Sequence, residues 1–460
     1  MEKRLLVAAL LSLGVLFLWE FLGPKPLRRA AAPVVPTPGP GVTLAPTVAV
    51  PVPTPGAVGA ERIAGTAEGL TTVENAVARA TFSNRGGVMT SFVLLRHSDE
   101  RGRPLELIRA LPDASKKPLA IVFDGNPPLT AAAANALYSV EGGGGGPAAR
   151  TVRFRYADER FSITKEIRFG DGYLFDVKVS VAGPAYTVLA GTGLRNPTPE
   201  ELESRYVMPS SAVVIAGRGV DVFSAAKLEK EREQSLPLPP KGFVGIEDNY
   251  FLTVLAPLDA ATARVFPVVV APAGGSAKGE TLVSAGVAAA VPLSMRAFFG
   301  PKDVEILEQT GLGLERTVDF GWYGILARPL LWLLKKAHAW TGNYGLAILL
   351  VTLLIRILLF PLMHKSYASM KKMQKLAPRM NAIRDKYKKS KTDAAQRQKM
   401  NQELMALYQA EGYNPMSGCF PGLLQLPILV AFYNVLSRAV ELRHAPFFLW
   451  IKDLSAADNS

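Results

Sequence analysis

The chain has 460 residues, with 52 lysines and arginines against 39 aspartates and glutamates, a formal net charge of +13, and a hydrophobic content of 49%. Its mean hydropathy of +0.17 argues against an ordinary soluble enzyme, whose polar surface pulls the average below zero. A single cysteine, Cys419, excludes an intrachain disulfide and any multi-cysteine metal site, and four scattered histidines (His97, His338, His364, His444) argue against a histidine metal site. No metal and no cofactor is expected. The basic excess fits nucleic acid, an anionic membrane surface or the cytoplasmic loops of a membrane protein, and its position along the chain decides among them.

Leu5–Leu22 is an apolar run behind the basic flank Lys3-Arg4, near the minimum length for a spanning helix. A cleaved signal peptide is the competing reading. The run is long for such a peptide, and the only small-residue site, Ala30-Ala31-Ala32, lies well downstream. Residues 1–23 are therefore expected to be an uncleaved anchor. Pro33–Gly56 holds eight prolines and three glycines, so 24–60 reads as an extended tether.

The pattern then turns to period two. Val152, Phe154 and Tyr156 alternate with Arg153 and Arg155, and Phe175, Val177, Val179 and Val181 alternate with Asp176, Lys178 and Ser180. Such alternation predicts antiparallel strands with one buried face. Val265–Ala271 and Thr281–Met295 read as further strands, and the glycine run 142–146 as a loop. Residues 61–315 are expected to form an all-β sandwich. No pair of carboxylates is singled out for catalysis, so the region reads as a binding or scaffold module.

Residues 320–341, rich in leucine and tryptophan but interrupted by Arg328, Pro329, Lys335 and Lys336, suggest an amphipathic helix in the membrane interface. Residues 342–363 predict a spanning helix whose one charge is Arg356, with Thr352 one turn earlier on the same face. A central arginine costs about 2.5–3.5 kcal/mol on insertion scales. It either faces a wet cavity or snorkels to the headgroups.

Residues 364–412 carry twelve basic and four acidic side chains, a net +8. Met370, Met373, Ala377, Met380, Ile383 and Tyr387 form one helical stripe, and Met400, Leu404, Leu407 and Tyr408 a second. Together they predict a hairpin, with Pro378 interrupting its first helix. No bounded nucleic-acid motif accompanies the charge, so no nucleic-acid recognition is expected. A basic loop between membrane helices is instead a topology signal, placing the loop and the N-terminus in the cytoplasm and the β region outside. Residues 416–440 predict a further span containing Pro421, Pro427, Gln425 and Asn434, and 441–460 an external segment. Gln425 lines a polar face or serves as plain interhelical glue.

Several strings carry a resemblance: GPK from Gly300, VDFGWYGILARPLL from Val318 and GNYGLAILLVTLLIRILLFPL from Gly342. SYASMKKMQKLAP from Ser366, NPMSGCFPGLLQLPI from Asn414 and ELRHAPFFLWIKDLSAAD from Glu441 are the most specific. On these the chain resembles the YidC–Oxa–Albino family of membrane protein insertases, in its Gram-negative form. The resemblance implies a periplasmic β-supersandwich similar to mutarotase-like folds yet without enzymatic activity. It also implies a helical core around a hydrophilic groove, with Arg356, Thr352 and Gln425 as substrate-contacting residues. The basic hairpin would dock substrates and ribosomes, with Lys371, Lys372, Lys375, Arg379, Arg384 and Lys388 as contacts. Implied partners are nascent inner-membrane proteins, the Sec translocon, ribosome–nascent chain complexes and anionic lipids. The location is the bacterial inner membrane, and the activity is insertion and chaperoning. The family continues with about three more spanning helices, so the chain is expected to stop before them, with an incomplete core. The alternatives are a transporter or channel component, an inactive fragment, or a membrane-anchored carbohydrate-binding module.

Overall fold

The computed structural model describes residues 62–99, 101–143, 150–197, 209–217, 219–270, 279–387, 394–412, 420–448, 451 and 453–454. All belong to one compact unit within Pro55–Ser460. The expected anchor and tether lie outside the described residues.

The chain first forms β1 (Leu70–Glu74), β2 (Ala78–Ser83), β3 (Val88–Ser98), β4 (Pro104–Glu106) and β5 (Ile121–Phe123), then helix α1 (Pro127–Asn135). Strands β6 (Ser139–Gly142), β7 (Thr151–Ala157), β8 (Ser162–Phe169), β9 (Leu174–Ala182), β10 (Tyr186–Thr192), β11 (Ser211–Ile215) and β12 (Asp221–Phe223) lead to α2 (Ala225–Glu231). Strands β13 (Gln234–Leu238), β14 (Phe243–Glu247), β15 (Phe251–Pro257), β16 (Ala261–Val270), β17 (Glu280–Ala289) and β18 (Leu293–Pro301) complete the β region.

These strands build a nine-stranded antiparallel sheet, ordered β12-β11-β14-β15-β18-β9-β8-β7-β6, and two smaller ones, β13-β16-β17-β10-β5 and β1-β2-β3-β4. The five-stranded sheet packs on the β14–β15 part of the large sheet, which is why β10 and β15 are buried along their whole length. The four-stranded sheet covers the other part through aromatic pairs. Phe82 meets Phe154 and Phe169, and Phe92 meets Phe175 and Phe299, at centroid distances of 5.4–6.2 Å. Pairs of this kind contribute about 0.5–1.5 kcal/mol each beyond the area they bury.

Strand β8 alternates Ile163, Lys165, Ile167 and Phe169 inward, so a lysine occupies a core slot. Its ammonium donates to the carbonyls of Gly86 (2.8 Å), Gly87 (2.9 Å) and Leu119 (2.8 Å) and lies over the Tyr138 ring. Those carbonyls belong to the β2–β3 turn and to the approach to β5. One buried cation therefore ties two segments to the large sheet.

The region is β-rich rather than all-β. Two short helices, α1 and α2, sit between its strands, each started by a polar cap, Asn126 and Ser224. The run Thr281–Met295 is two strands, because the chain turns at residues 290–292, where Pro292 has no backbone donor. Strand structure ends at Pro301, and α3 (Val304–Gln309) follows, capped by Asp303.

The rest is helical: α4 (Gly324–Thr341), α5 (Tyr344–Lys386), α6 (Ala394–Ala410) and α7 (Phe420–Arg438). Helix α4 ends at Gly342, whose φ of 66° suits glycine, and Asn343 caps α5 by accepting from the Leu346 backbone N–H at 3.1 Å. Ala327, Leu331, Leu334 and Ala337 form the buried stripe of α4, which packs against α5 and α7 and leaves Trp332 and Trp340 exposed.

The interruption expected at Pro378 does not occur, since α5 runs unbroken through Pro361 and Pro378 for 43 residues. Pro378 and Gln374, whose carbonyl loses its donor, are both solvent-exposed residues, so the lost bond does not lie in a packed interior. Leu376 and Met380 pack on α6 either side of the proline and hold the helix across it.

Lys165→Met leaves three buried carbonyls without a donor. At pH 9, β8 should lose roughly 2 kcal/mol of protection, about 1 kcal/mol for each carbonyl served by the two N–H groups of the neutral amine. Hydrogen exchange of β8 amides in the detergent-solubilised chain measures this, and unchanged protection would refute the tie. Burial lowers the Lys165 pKa from the ordinary 10.5 to about 7. Between those values the unfolded chain binds more protons than the folded one. The penalty for burying the charge is therefore absent above the upper pKa and grows as pH falls towards the lower. Protection should rise between pH 7 and pH 9 by up to about 1.4 kcal/mol per unit, a slope that Lys165→Met abolishes.

At the start of α5, a Cβ on Gly345 would overlap the Phe447 ring. Gly345→Ala should destabilise the helical region by about 1–3 kcal/mol. Thermal unfolding followed by tryptophan fluorescence isolates that loss, because no tryptophan lies in the β strands.

Candidate functional site

The upper part of α5 has a narrow buried face and a broad exposed one. Ala347 and Val351 are fully buried, with Ile348 and Ile355 beside them, facing Ala431 and Val435 of α7 and the stripe of α4. Leu349, Leu353, Ile357, Leu358 and Phe360 are exposed, Leu358 by 76%. Among the described residues, α5 is the helix long and apolar enough to cross a membrane.

Arg356 lies on the exposed, apolar side of α5, next to Ile357 and one turn from Leu353 and Phe360. Thr352 sits one turn earlier and is half-buried. Gln425 is half-buried on α7, between the exposed Leu424 and Leu426. Among the described residues, no hydrogen bond or ion pair joins Arg356, Thr352 and Gln425. The helix thus brings Arg356 and Thr352 together by its own geometry, while Gln425 stands on a separate element.

The lower part of α5 is amphipathic along a basic edge. Lys371, Lys375, Arg379 and Arg384 are exposed. Lys372 lies within α5, and Lys388 falls outside the described residues. The opposite face buries Leu376 and Met380 against Leu404 of α6, with Met373, Ile383, Met400, Leu407 and Tyr408 around them. Leu376 takes the rung expected for its neighbour Ala377, and Met370 is 48% exposed. The spacing 373, 376, 380, 383 and 387 is the alternating three and four of a packed helix pair. Arg379 pairs with Glu411 at 2.6 Å, Lys386 with Glu403 at 2.6 Å, and Tyr387 donates to Glu403 at 2.8 Å. These pairs are exposed, so solvent screens them and they add little to stability.

Two charged centres were missed by sequence reading. Lys165 shows in hindsight as a lysine in the inward register of an alternating strand. Lys335 reads in sequence as one of several charges on α4, yet it lies among Asp303, Glu305 and Glu441. Burial would lower its pKa, but Glu441 and Asp303 outweigh that and hold it above the ordinary lysine range. Burial holds Glu441 above the usual carboxylate range, with Lys335 pulling the other way. Nothing in sequence spacing links residues 303, 335 and 441. Among the described residues, no cluster of three or more histidine, cysteine or carboxylate side chains could hold a metal ion.

Residues 70–333 match the family model described as YidC periplasmic domain, and residues 336–460 the model described as 60Kd inner membrane protein. The membrane protein insertase YidC of Geobacter metallireducens is 33% identical over 498 residues, covering 100% of this chain and 85% of the relative. That of Pelobacter propionicus is 31% identical over 490 residues, covering 100% and 84%. A crystal structure of an active YidC insertase with its first transmembrane domain resolved is 18% identical, with a TM-score of 0.31 over 87% of this chain and 80% of that one. The relatives are named as insertases and not as enzymes. With a periplasmic β-rich region followed by an inner-membrane helical region, the chain belongs to the YidC family of membrane protein insertases.

Proposed function

We propose that the chain inserts and folds inner-membrane proteins, alone or beside the Sec translocon, by receiving their polar segments next to Arg356. The carrying observation is Arg356 itself, an exposed cation in a stretch of α5 that has no other charge between residues 344 and 363. A groove formed with Thr352 and Gln425 would be hydrated and would shorten the hydrocarbon path that a polar tail must cross. Arg356 would pair transiently with an acidic residue of that tail and offset part of its desolvation cost. The apolar part of the substrate would then leave sideways, driven by its own burial in lipid.

The basic edge of α5 supports the topology in this reading. With residues 364–412 in the cytoplasm, 342–363 runs inward and 416–440 returns. The 61–315 region and the 441–460 segment then lie in the periplasm, 320–341 follows the periplasmic interface, and the 1–23 anchor has a cytoplasmic N-terminus. Lys371, Lys372, Lys375, Arg379, Arg384 and Lys388 would dock ribosome–nascent chain complexes or anionic headgroups.

Complementation of a depleted strain tests the groove. Arg356→Ala combined with Thr352→Ala should slow insertion of a single-span substrate with an acidic tail about tenfold, a loss of about 1.4 kcal/mol. Arg356→Lys should retain most activity. Unimpaired insertion by the double variant would refute the mechanism. For the basic edge, Lys371→Gln, Lys375→Gln and Arg384→Gln should each weaken binding to vesicles rich in anionic lipid by about 1 kcal/mol. Co-sedimentation that is indifferent to these changes and to salt would exclude the docking role.

A further inference from the structure

The seam between the β region and the helices is built from charge. Lys335 is only 16% exposed, and its ammonium lies 3.0 Å from Asp303 Oδ1, 3.6 Å from Glu305 Oε1 and 2.8 Å from Glu441 Oε1. The carboxylates come from two distant parts of the chain. Asp303 and Glu305 open α3 directly after β18, and Glu441 follows α7. Asp303 is also the cap of α3, accepting from the Glu305 backbone N–H at 2.9 Å, so backbone sets its position. Glu441 Oε1, at 2.8 Å, is the nearest of the three carboxylates and forms an ion pair with the ammonium.

Neighbouring contacts cross the same seam. Arg443 donates to the Ser98 carbonyl at 2.7 Å and lies over the Phe251 ring. The Asn343 amide donates to the carbonyls of Pro446 (3.3 Å) and Phe447 (3.0 Å). The segment after α7 is thus held on one side by the β region and on the other by the start of α5.

A buried ion pair is a weak source of net stability, because desolvation cancels much of the attraction. Its use is register, since a cation this enclosed finds its counter-charges in one arrangement only. We propose that Lys335 is a positioning residue that fixes the β region on the adjoining ends of α4, α5 and α7 and so keeps that end of the helical region closed. The proposal does not depend on a groove at Arg356, and its test requires no insertion activity.

The test places a cysteine at Ala347, which is fully buried just beyond the seam, in a Cys419→Ser chain reconstituted in nanodiscs. A bulky water-soluble maleimide reports opening of that end. With Lys335 intact, or replaced by arginine, labelling should be slow. Lys335→Met leaves two buried carboxylates facing each other and should raise the rate roughly tenfold. Asp303→Asn and Glu441→Gln each leave the lysine a carboxylate and should raise it less. Exchanging the charges, Lys335→Glu with Glu441→Lys, should restore protection relative to Lys335→Glu alone, a rescue that lost packing would not give. Hydrogen exchange of β8 checks that the β region is folded in every variant. Labelling of Lys335→Met at the parent rate, or an exchanged pair no better protected than Lys335→Glu alone, would overturn the proposal. If Lys335→Met fails to fold, Glu441→Gln and the exchanged pair decide it by the same two comparisons.

Discussion

The β region depends on one buried cation. Lys165 projects from β8, the third strand from one edge of the nine-stranded sheet, in a register where its neighbours Ile163 and Ile167 present hydrocarbon. An ammonium survives there because its three protons meet three backbone carbonyls. Those acceptors come from a turn and a loop that would otherwise bury unpaired C=O groups. Satisfying both sides at once fixes the four-stranded sheet at the distance where Phe82 and Phe92 reach the aromatic rings of β7, β8, β9 and β18. The register of that aromatic layer is thus set by a polar contact, and hydrophobic burial follows from it.

The same large sheet delivers the chain to the helices. Gly300 lets β18 pass under Tyr173 and Phe298, where a Cβ would meet ring carbons at 2.9–3.0 Å. Lys302 then turns back to Glu247, 3.0 Å away, and Asp303 turns forward to Lys335. Two successive residues therefore hold opposite sides of the boundary. Beyond it the packing rule changes. Helix α5 buries only a thin stripe of small and β-branched residues and leaves leucine, isoleucine and phenylalanine outside. That surface is unfavourable in water and neutral in lipid.

Periodicity made much of this legible. Alternation at residues 152–156 and 175–181 marked strands whose inner residues are buried, with Tyr156 and Val181 only half-buried at the ends. The α5 and α6 stripes were legible because methionine, leucine and tyrosine recur at helical spacing. Pattern failed where partners are distant or where solvent intervenes. Leu376 took the rung expected for Ala377, and Met370 stayed outside, because the crossing point of two helices, and not composition, selects the buried residues. Pro378 was read as a break because its lost hydrogen bond was counted, and the packing of Leu376 and Met380 on either side of it was not. Lys335 lies on α4 and Glu441 beyond the end of α7, and no local rule connects them to Asp303. Thr352 and Arg356 share a face by helical arithmetic alone, whereas the relation of Gln425 to them is a tertiary matter that spacing cannot supply.

Three cations compare instructively. Lys165 is compensated by three carbonyls, and Lys335 by three carboxylates. Among the described residues Arg356 has neither, and it stands on an apolar face. A buried charge whose partners are fixed has little left to offer a ligand, because binding must first break what is already made. The first two therefore suit the work of holding segments in place. A guanidinium on an exposed apolar face keeps its five donors for an anion that reaches it. The cost of placing it there falls as soon as a carboxylate arrives, so the interaction is largest for a visiting acidic group and ends when that group departs. A transient partner of this kind is what an insertase needs and a structural ion pair cannot provide, which is why Arg356, and not the better-packed lysines, is where the proposed function rests.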